Sequence, residues 1–307
     1  MKYRRLGRTN LKISVIGIGT FQYGGEWSKS FTEKDVREIF DRGYDLGINL
    51  VDTAPGYGAH LAERLVGNAI KGHRKDWVVA TKFGRRFDPE NKFIRKEVWD
   101  VEGVRQLLEE SLDCLQTDYI DLYQFHSGSV AAFNNDELWD MLAQRVKAGQ
   151  IRHLGISLRE GALRYQTESA LRVGAQAIQV LYNRLNTEPE TEVFPACTRD
   201  DLGVLARVPL ASGLLSGKYL PGTTFDTNDV RSFQFRNNLE EVLQRVAGIA
   251  QNEVPKGVPM AQWALAWCLR NDAVSAVIPG FKDTTQLESA VRASMEMVQA
   301  DHPQAWK

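Results

Sequence analysis

The stretch NLVDTAPGYG (residues 49–58) begins as a short apolar run, which ends at Asp52 and leads into a loop that holds two glycines. Similar apolar runs recur along the chain, separated by longer segments with the spacing of amphipathic helices. Because these runs are apolar throughout, they are typical of parallel strands that are covered on both faces. The predicted strands are Ile13–Ile18, Asn49–Asp52, Trp77–Lys82, Ile120–His126, Ile151–Ser157, Ala177–Tyr182, Gly203–Val208 and Val274–Pro279.

Segments with helical spacing alternate with these strands. The clearest are Glu33–Leu46, Leu61–Lys71, Glu97–Leu115, Asp136–Ala148, Pro259–Leu269 and Thr284–Met297. This alternation fits either a closed (β/α)8 barrel or a long, doubly wound sheet. A length of 307 residues suits the barrel, since that fold usually takes about 250 residues plus insertions.

Two segments outside this alternation complete the predicted fold. The opening YRRLGRTNLKIS (3–14) indicates a β-hairpin ahead of the first barrel strand. Residues 220–238 carry no clear strand or helix pattern, and a loop of that length inside a compact domain is usually functional. We therefore expect residues 1–307 to form a single α/β domain, a (β/α)8 TIM barrel with an N-terminal β-hairpin.

The composition excludes several classes of protein. Lys and Arg (38) nearly balance Asp and Glu (39), for a formal net charge of −1, which disfavours nucleic acid or an anionic membrane as the main partner. The three cysteines lie far apart without a His/Cys cluster, so we expect no metal site and a reducing compartment. No apolar run is long enough for a membrane span, and the N-terminus does not resemble a secretory signal. A cytoplasmic monomer or homo-oligomer is expected.

Reactive side chains follow three neighbouring strands. Asp52 ends the second strand and Tyr57 lies in its loop, while Lys82 and His126 end the third and fourth. Taken singly, the acid could cap a helix, the lysine could be solvated, and the histidine and tyrosine could be structural. Because the active residues of a parallel barrel lie where its strands end, the four together predict a catalytic site.

The four residue types suit the reduction of a carbonyl group by hydride transfer. The alkoxide formed must gain a proton, and the Tyr57 phenol can donate it, although a reference pKa of about 10 makes the phenol a weak acid at neutral pH. We expect the Lys82 ammonium to lower that pKa, and Asp52 to hold the ammonium in place. His126 can donate a hydrogen bond to the substrate oxygen.

At these residues the chain resembles the aldo-keto reductase superfamily, and the resemblance extends over the whole sequence. The segments that carry it are GIGTFQYGG (17–25), NLVDTAPGYG (49–58), ATKFG (80–84), DLYQFH (121–126), KAGQIRHLGIS (147–157), QVLYN (179–183), VPLASGLLSGKY (208–219) and VIPGFK (277–282). The resemblance implies an oxidoreductase that reduces small aldehydes or ketones with a nicotinamide cofactor bound at the barrel rim.

Cofactor contacts are implied by the same resemblance. Ser157 and Gln179 should hold the nicotinamide carboxamide, and Lys282 should meet a 2′-phosphate, so NADPH is favoured over NADH. The full implied set is Gly19, Thr20, Phe21, Asp52, Ser157, Gln179, Arg207, Pro209, Leu210, Ser212, Gly213, Leu214, Lys218, Gly280, Phe281, Lys282 and Gln286. Three positions depart from the usual pattern, namely Leu158, Arg207 and the pair Ser289-Ala290.

Aromatic side chains are predicted to form the walls of the substrate pocket, which would suit apolar aldehydes or ketones. They are Phe21, Tyr23, Trp27, Phe83, Phe233 and Phe235. Two other functions stay open. One is an NADPH-binding regulatory subunit with little turnover, like the potassium-channel β-subunits of this fold. The other is a barrel enzyme that uses Lys82 as a Schiff-base nucleophile, against which the nearby Asp52 argues.

Overall fold

Parallel strands and their covering helices make up the architecture of this computed structural model, which describes residues 1–25, 27, 29–91, 94–299 and 301–306. The strands are β1 (Tyr3–Arg5), β2 (Lys12–Ser14), β3 (Ile18–Gly19), β4 (Leu50–Asp52), β5 (Val78–Phe83), β6 (Arg85–Phe87), β7 (Arg95–Glu97), β8 (Ile120–His126), β9 (Ile151–Ser157), β10 (Ala175–Leu181), β11 (Gly203–Arg207) and β12 (Ala276–Ile278). The helices are α1 (Glu33–Asp45), α2 (Leu61–Ala69), α3 (Val101–Leu115), α4 (Val130–Phe133), α5 (Asp136–Lys147), α6 (Leu163–Glu168), α7 (Pro189–Glu192), α8 (Phe194–Arg199), α9 (Val230–Gln234), α10 (Leu239–Asn252), α11 (Met260–Leu269) and α12 (Thr284–Glu296).

Within the described ranges, eight parallel strands form one sheet in the order β12-β11-β10-β9-β8-β5-β4-β3. The sheet closes because β3 meets β12 through the parallel bridges Ile16–Val277 and Gly19–Gly280. The (β/α)8 barrel predicted from the sequence is therefore confirmed. No helix among the described residues is long and apolar enough to cross a membrane.

Two apolar layers explain why the strands are apolar throughout. Residues that point inward fill the barrel, and Leu50, Ala80, Leu122 and Leu205 are among them, each without exposed surface. Their neighbours along the strands point outward and pack beneath the helices. Since successive side chains of a strand point to opposite faces, both faces of each strand must be apolar.

The predicted N-terminal hairpin is present, with β1 antiparallel to β2. At its turn Gly7 has a φ of +47°, and an added Cβ there would lie 2.1 Å from the Gly203 backbone nitrogen. The first predicted strand, Ile13–Ile18, is wrong as a single element. Its start pairs within the hairpin, whereas Ile16 and Ile18–Gly19 pair with barrel strands, because the chain crosses from one sheet to the other between them.

A second hairpin, β6 paired with β7, follows the third barrel strand and was not predicted. The helix predicted over Glu97–Leu115 consequently begins only at Val101, where the side chain of Asp100 accepts a hydrogen bond from the Gly103 amide as N-cap. Likewise, the region 220–238 is not a loop throughout, since it contains helix α9. Both differences lie above the carboxyl-end rim of the barrel, where insertions are tolerated and sites form.

Candidate active site

A cleft of about 870 Å³ opens at the carboxyl ends of the barrel strands. Side chains from β4, β8, β9, β10 and β11 contribute to its floor, and the loops after β3, β5, β11 and β12 form its walls. This volume lies within the range of about 300–1,000 Å³ that is usual for small-molecule sites.

Lys82 lies beneath the floor of the cleft, in contact with the lining residues Asp52 and Tyr57, and is almost completely buried. It comes from β5 and donates hydrogen bonds to Asp52 Oδ2 at 2.7 Å and to the Thr53 carbonyl oxygen at 2.8 Å. Its Nζ also lies 3.4 Å from the hydroxyl oxygen of Tyr57, in the loop after β4. The structure thus brings an acid, an ammonium and a phenol from adjacent strands into direct contact.

Burial dominates the protonation of Tyr57. Loss of solvent raises the pKa of the phenol above its ordinary value, and the positive charge of Lys82 only partly offsets this effect. The expectation that Tyr57 has a lowered pKa is therefore wrong, although Lys82 acts in the expected direction. For Lys82 itself burial opposes the charged form, but Asp52 and Tyr57 outweigh it and raise the pKa of the ammonium.

A network of buried amides holds the second oxygen of Asp52. Oδ1 accepts hydrogen bonds from Gln179 Nε2 at 2.7 Å and from Gln124 Nε2 at 3.1 Å. Ser157 Oγ donates a hydrogen bond to the side-chain oxygen Oε1 of Gln179 at 3.3 Å. Gln124 was not predicted as a site residue, yet a signal was present, because it is a polar residue in a buried strand, two positions before His126 and therefore on the same face.

His126 ends β8 and faces the phenol, with ring centroids 6.1 Å apart and the rings nearly perpendicular. Its Nδ1 is buried without a hydrogen-bond partner among the described residues. Burial, together with the charges of Lys82, Arg85 and Arg207, keeps the pKa of the imidazole well below its ordinary range. The ring is consequently neutral and carries one N–H group.

Most residues implied as cofactor contacts line this one cleft. They are Gly19, Thr20, Phe21, Asp52, Ser157, Gln179, Arg207, Pro209, Leu210, Ser212, Gly213, Lys218, Gly280, Phe281, Lys282 and Gln286. Leu214 does not belong to the lining, because its side chain is fully buried in the apolar cluster beneath the loop. Only its backbone can face a ligand, as the family pattern implies.

The donor set fits an elongated anionic ligand such as a nicotinamide dinucleotide. Lys218 and Lys282 add positive charge along the cleft. In the lining of the cleft, Gln22 Nε2 is buried and has no hydrogen-bond partner within the described part of the chain. Gly280 lies beside it, and a Cβ at that position would lie 2.9 Å from the same nitrogen, so the glycine keeps this wall open.

The predicted aromatic pocket is only partly formed. Phe21, Trp27 and Phe233 line the cleft. In contrast, Tyr23 is buried against Phe31. Phe83 packs among the core aromatic rings, with Tyr123 and Trp139 as neighbours, and Phe235 packs against the cluster around α10 and α11. The error at Phe83 follows from strand alternation, because Lys82 points into the barrel mouth and its neighbour must point toward the helices.

Comparisons with known proteins agree with this architecture. The model of the Aldo/keto reductase family matches residues 15–305. The oxidoreductase YqkF of Bacillus subtilis is 32% identical over 299 residues, 96% of this chain and 91% of that protein. A probable voltage-gated potassium channel subunit beta of Arabidopsis thaliana is 31% identical over 310 residues, 95% of this chain and 91% of that protein.

Solved structures give the same result. The holo form of aldo-keto reductase AKR11C1 from Bacillus halodurans has a TM-score of 0.80 and 31% sequence identity, and the match covers 97% of this chain and 92% of that one. The sequence and the fold thus both match those of known aldo-keto reductases. The chain is an oxidoreductase that belongs to the aldo/keto reductase family, whose members generally use NAD(P)H.

Proposed function

We propose that this enzyme reduces small aldehydes or ketones to alcohols with NADPH, and that Tyr57 is the proton donor. The observation that carries the proposal is the contact of the Lys82 ammonium with both Asp52, at 2.7 Å, and the Tyr57 hydroxyl, at 3.4 Å, on the floor of an open cleft. A proton donor with a cation beside it is the unit that carbonyl reduction needs.

A nicotinamide bound in the cleft supplies the hydride for this chemistry. His126 is neutral, so its N–H group can hold the substrate oxygen without competing for the proton. Tyr57 gives its proton to that oxygen as negative charge develops there. Lys82 stabilises the resulting phenolate through its positive charge, and Asp52 fixes the position of Lys82.

The raised pKa of Tyr57 suits a donor rather than a base. Burial keeps the phenol protonated at neutral pH, so the proton is present when the substrate binds. Lys82 limits the rise, which keeps the phenolate accessible during the reaction. The phenol is therefore protonated when the substrate binds, and Lys82 makes its deprotonation less costly than burial alone would allow.

For the cofactor, we assign the carboxamide to the pair Ser157 and Gln179, the pyrophosphate to the 209–214 segment with Lys218, and a 2′-phosphate to Lys282. Gln286 supports the last assignment, since its side chain accepts a hydrogen bond from the Lys282 backbone amide at 3.0 Å and fixes the local chain. A compact cation beside this loop favours NADPH over NADH. We also assign residues 1–307 to one functional domain, because the cleft lining extends from Gly19 to Ala290.

The direct test is steady-state oxidation of NADPH with a panel of aldehydes and ketones, with identification of the alcohol formed. We expect turnover with at least part of the panel and formation of one alcohol per NADPH oxidised. A protein that binds NADPH but reduces no member of the panel would contradict the proposal.

That contradicting outcome is what a second candidate function predicts. The relative described as a potassium channel subunit beta favours a regulatory subunit that binds NADPH with little turnover. The two functions differ in their turnover and not in their cofactor. A Schiff-base nucleophile at Lys82 has no such support, because the lysine is ion-paired and its pKa is raised.

A further inference from the structure

Arginines converge on the end of the cleft that holds Tyr57 and His126. Among the described residues, those that line it are Arg85 and Arg95 of the β6–β7 hairpin, Arg159 after β9, and Arg207 at the end of β11. The described acidic residues in the same lining are Asp52 and Glu160, and Asp52 is already paired with Lys82. Among the residues that the structure describes, positive charge therefore exceeds negative charge around the reacting end.

Neighbouring groups neutralise Arg85 and Arg159 only partly. One carboxylate, that of Glu97, lies 3.6 Å from Arg85 and 3.8 Å from Arg159, so two guanidinium groups share it. Arg85 also donates to the Ser127 carbonyl oxygen at 2.8 Å, which fixes its position beside the residue that follows His126.

Two guanidinium groups retain buried donors without partners. In the part of the chain that the structure describes, the Nε atoms of Arg85 and Arg207 are both buried and make no hydrogen bond. Arg207 lies on the same rim as Tyr57 and His126, and its charge influences both. A buried N–H donor without a partner is costly, so such donors usually meet an acceptor when a ligand binds, and an anion is the strongest acceptor for a guanidinium.

The position of the cluster separates it from the proposed phosphate site. Lys218 and Lys282, which we assign to cofactor phosphates, follow β11 and β12. Arg85 and Arg159 instead follow β5 and β9, on either side of the strand that carries His126. The charges around His126 are consequently not explained by the phosphates of a dinucleotide.

Electrostatics within the cluster agree with its geometry. Burial lowers the pKa of Arg85, and repulsion from Arg159, Arg95 and Arg207 adds to this effect, although Glu97 opposes it. Arg85, Arg95 and Arg207 also contribute to the low pKa of His126. Positive potential thus extends to the place where we expect the carbonyl oxygen.

We propose that the carbonyl substrate carries a second, anionic group, a carboxylate or a phosphate, which Arg85 binds with support from Arg159 and Arg207. This inference rests on the proposed function, because it names the substrate class of the same site. The planar fork of a guanidinium matches two oxygens of either anion. It replaces the expectation of an apolar substrate, since Phe21, Trp27 and Phe233 cover only part of the wall.

Matched pairs of substrates test the proposal with NADPH as the reductant. One pair is succinic semialdehyde and its methyl ester, and the other is glyceraldehyde 3-phosphate and glyceraldehyde. We expect kcat/KM to be about 10- to 100-fold higher for the anionic member of at least one pair, as charged hydrogen bonds usually contribute. The pair that shows the preference identifies the anion. Equal or higher values for both neutral members would overturn the proposal.

Variants locate the effect. Arg85→Gln should lower the ratio of anionic to neutral kcat/KM by about tenfold or more, and Arg85→Lys should restore part of it, because it keeps the charge but loses the fork. Arg199→Gln makes the same change in net charge on an exposed arginine outside the cleft and should leave the ratio unchanged. An unchanged ratio in folded Arg85→Gln protein would refute the assignment to Arg85.

Calorimetry separates this inference from the proposed function. In the presence of NADPH, succinate should bind more tightly than neutral succinamide, and Arg85→Gln should weaken succinate binding. If no aldehyde is reduced but succinate keeps this advantage, the proposed function fails while the anion site stands. If succinate binds no better than succinamide, the anion site is wrong whatever the turnover.

Discussion

Lys82 and Asp52 form an ion pair with an N–O distance of 2.7 Å, and both side chains are almost completely removed from solvent. The lysine comes from β5 and the aspartate from β4, so the pair joins neighbouring strands at the floor of the cleft. An isolated buried charge is strongly unfavourable, and each partner therefore depends on the other for stability as well as for chemistry.

Replacing Asp52 alone should destabilise the fold. In Asp52→Ala the buried ammonium loses its counterion, and we expect the free energy of unfolding to fall by about 3–5 kcal/mol. Chemical denaturation measures this change. Asp136→Ala, which removes the exposed partner of Arg172, is the matched control and should cost less than about 1 kcal/mol. Similar losses in both variants would show that the Lys82–Asp52 pair has no special energetic role.

The pH profile of reduction should be flat across the neutral range. Tyr57 acts in its protonated form, and because burial raises its pKa, activity is lost only as the pH rises through that raised value, above about 10. His126 adds no acid limb near its ordinary range, since its pKa is well below it. The measurement is kcat/KM from about pH 6 to 10, with protein stability checked at each pH. A fall centred near pH 7 would contradict this assignment of the proton donor.

Lys282→Ala should weaken NADPH binding more than NADH binding. Loss of a charged hydrogen bond to the 2′-phosphate corresponds to about 10- to 100-fold in Kd, whereas NADH has no such phosphate. Quenching of intrinsic fluorescence by each cofactor measures both constants. Lys71→Ala, an exposed lysine outside the cleft, controls for the change in net charge. Equal losses of affinity for the two cofactors would show that Lys282 does not bind the 2′-phosphate.

Arg207→Gln should favour the oxidised cofactor. The guanidinium makes no hydrogen bond or ion pair with any residue in the described ranges, so we expect its charge to repel a cationic nicotinamide ring bound in the cleft. We expect the affinity for NADP⁺ relative to NADPH to rise by roughly tenfold, or about 1.4 kcal/mol. Two unit charges a few ångströms apart near a protein surface repel each other by at least this much. Titration calorimetry with both forms measures the ratio, and an unchanged ratio would remove this role.

Strand periodicity predicted parallel strands that alternate with helices, and the chain length favoured a barrel over a doubly wound sheet. Together they placed Asp52, Lys82 and His126 on one rim. Parallel strands end at the same edge, so residues at their ends meet even when they are far apart in sequence. The predicted aromatic pocket was wrong at a strand end, where a shift of one position reverses the direction in which a side chain points. Phe83 was assigned to the pocket although it follows Lys82 directly and must therefore face the helices.

Other features depend on contacts that no local pattern contains. Hairpin β6–β7 pairs Arg85 with Glu97 across residues that give no strand signal of their own. The cluster that Arg85 forms with Arg159 and Arg207 arises only after the barrel closes, because its members lie in β6, after β9 and at the end of β11. The dominance of burial over charge at Tyr57 also follows from packing, since the sequence specifies the nearby Lys82 but not the exclusion of water.

The most direct test of the account is the turnover of Tyr57→Phe, a variant that keeps the ring and removes only the hydroxyl beside Lys82. We predict that kcat for aldehyde reduction falls by about 10²- to 10⁴-fold while NADPH still quenches the intrinsic fluorescence. Tyr165→Phe, an exposed tyrosine on α6 outside the cleft, should retain the activity of the parent. Parental turnover in Tyr57→Phe would contradict the assignment of Tyr57 as the proton donor.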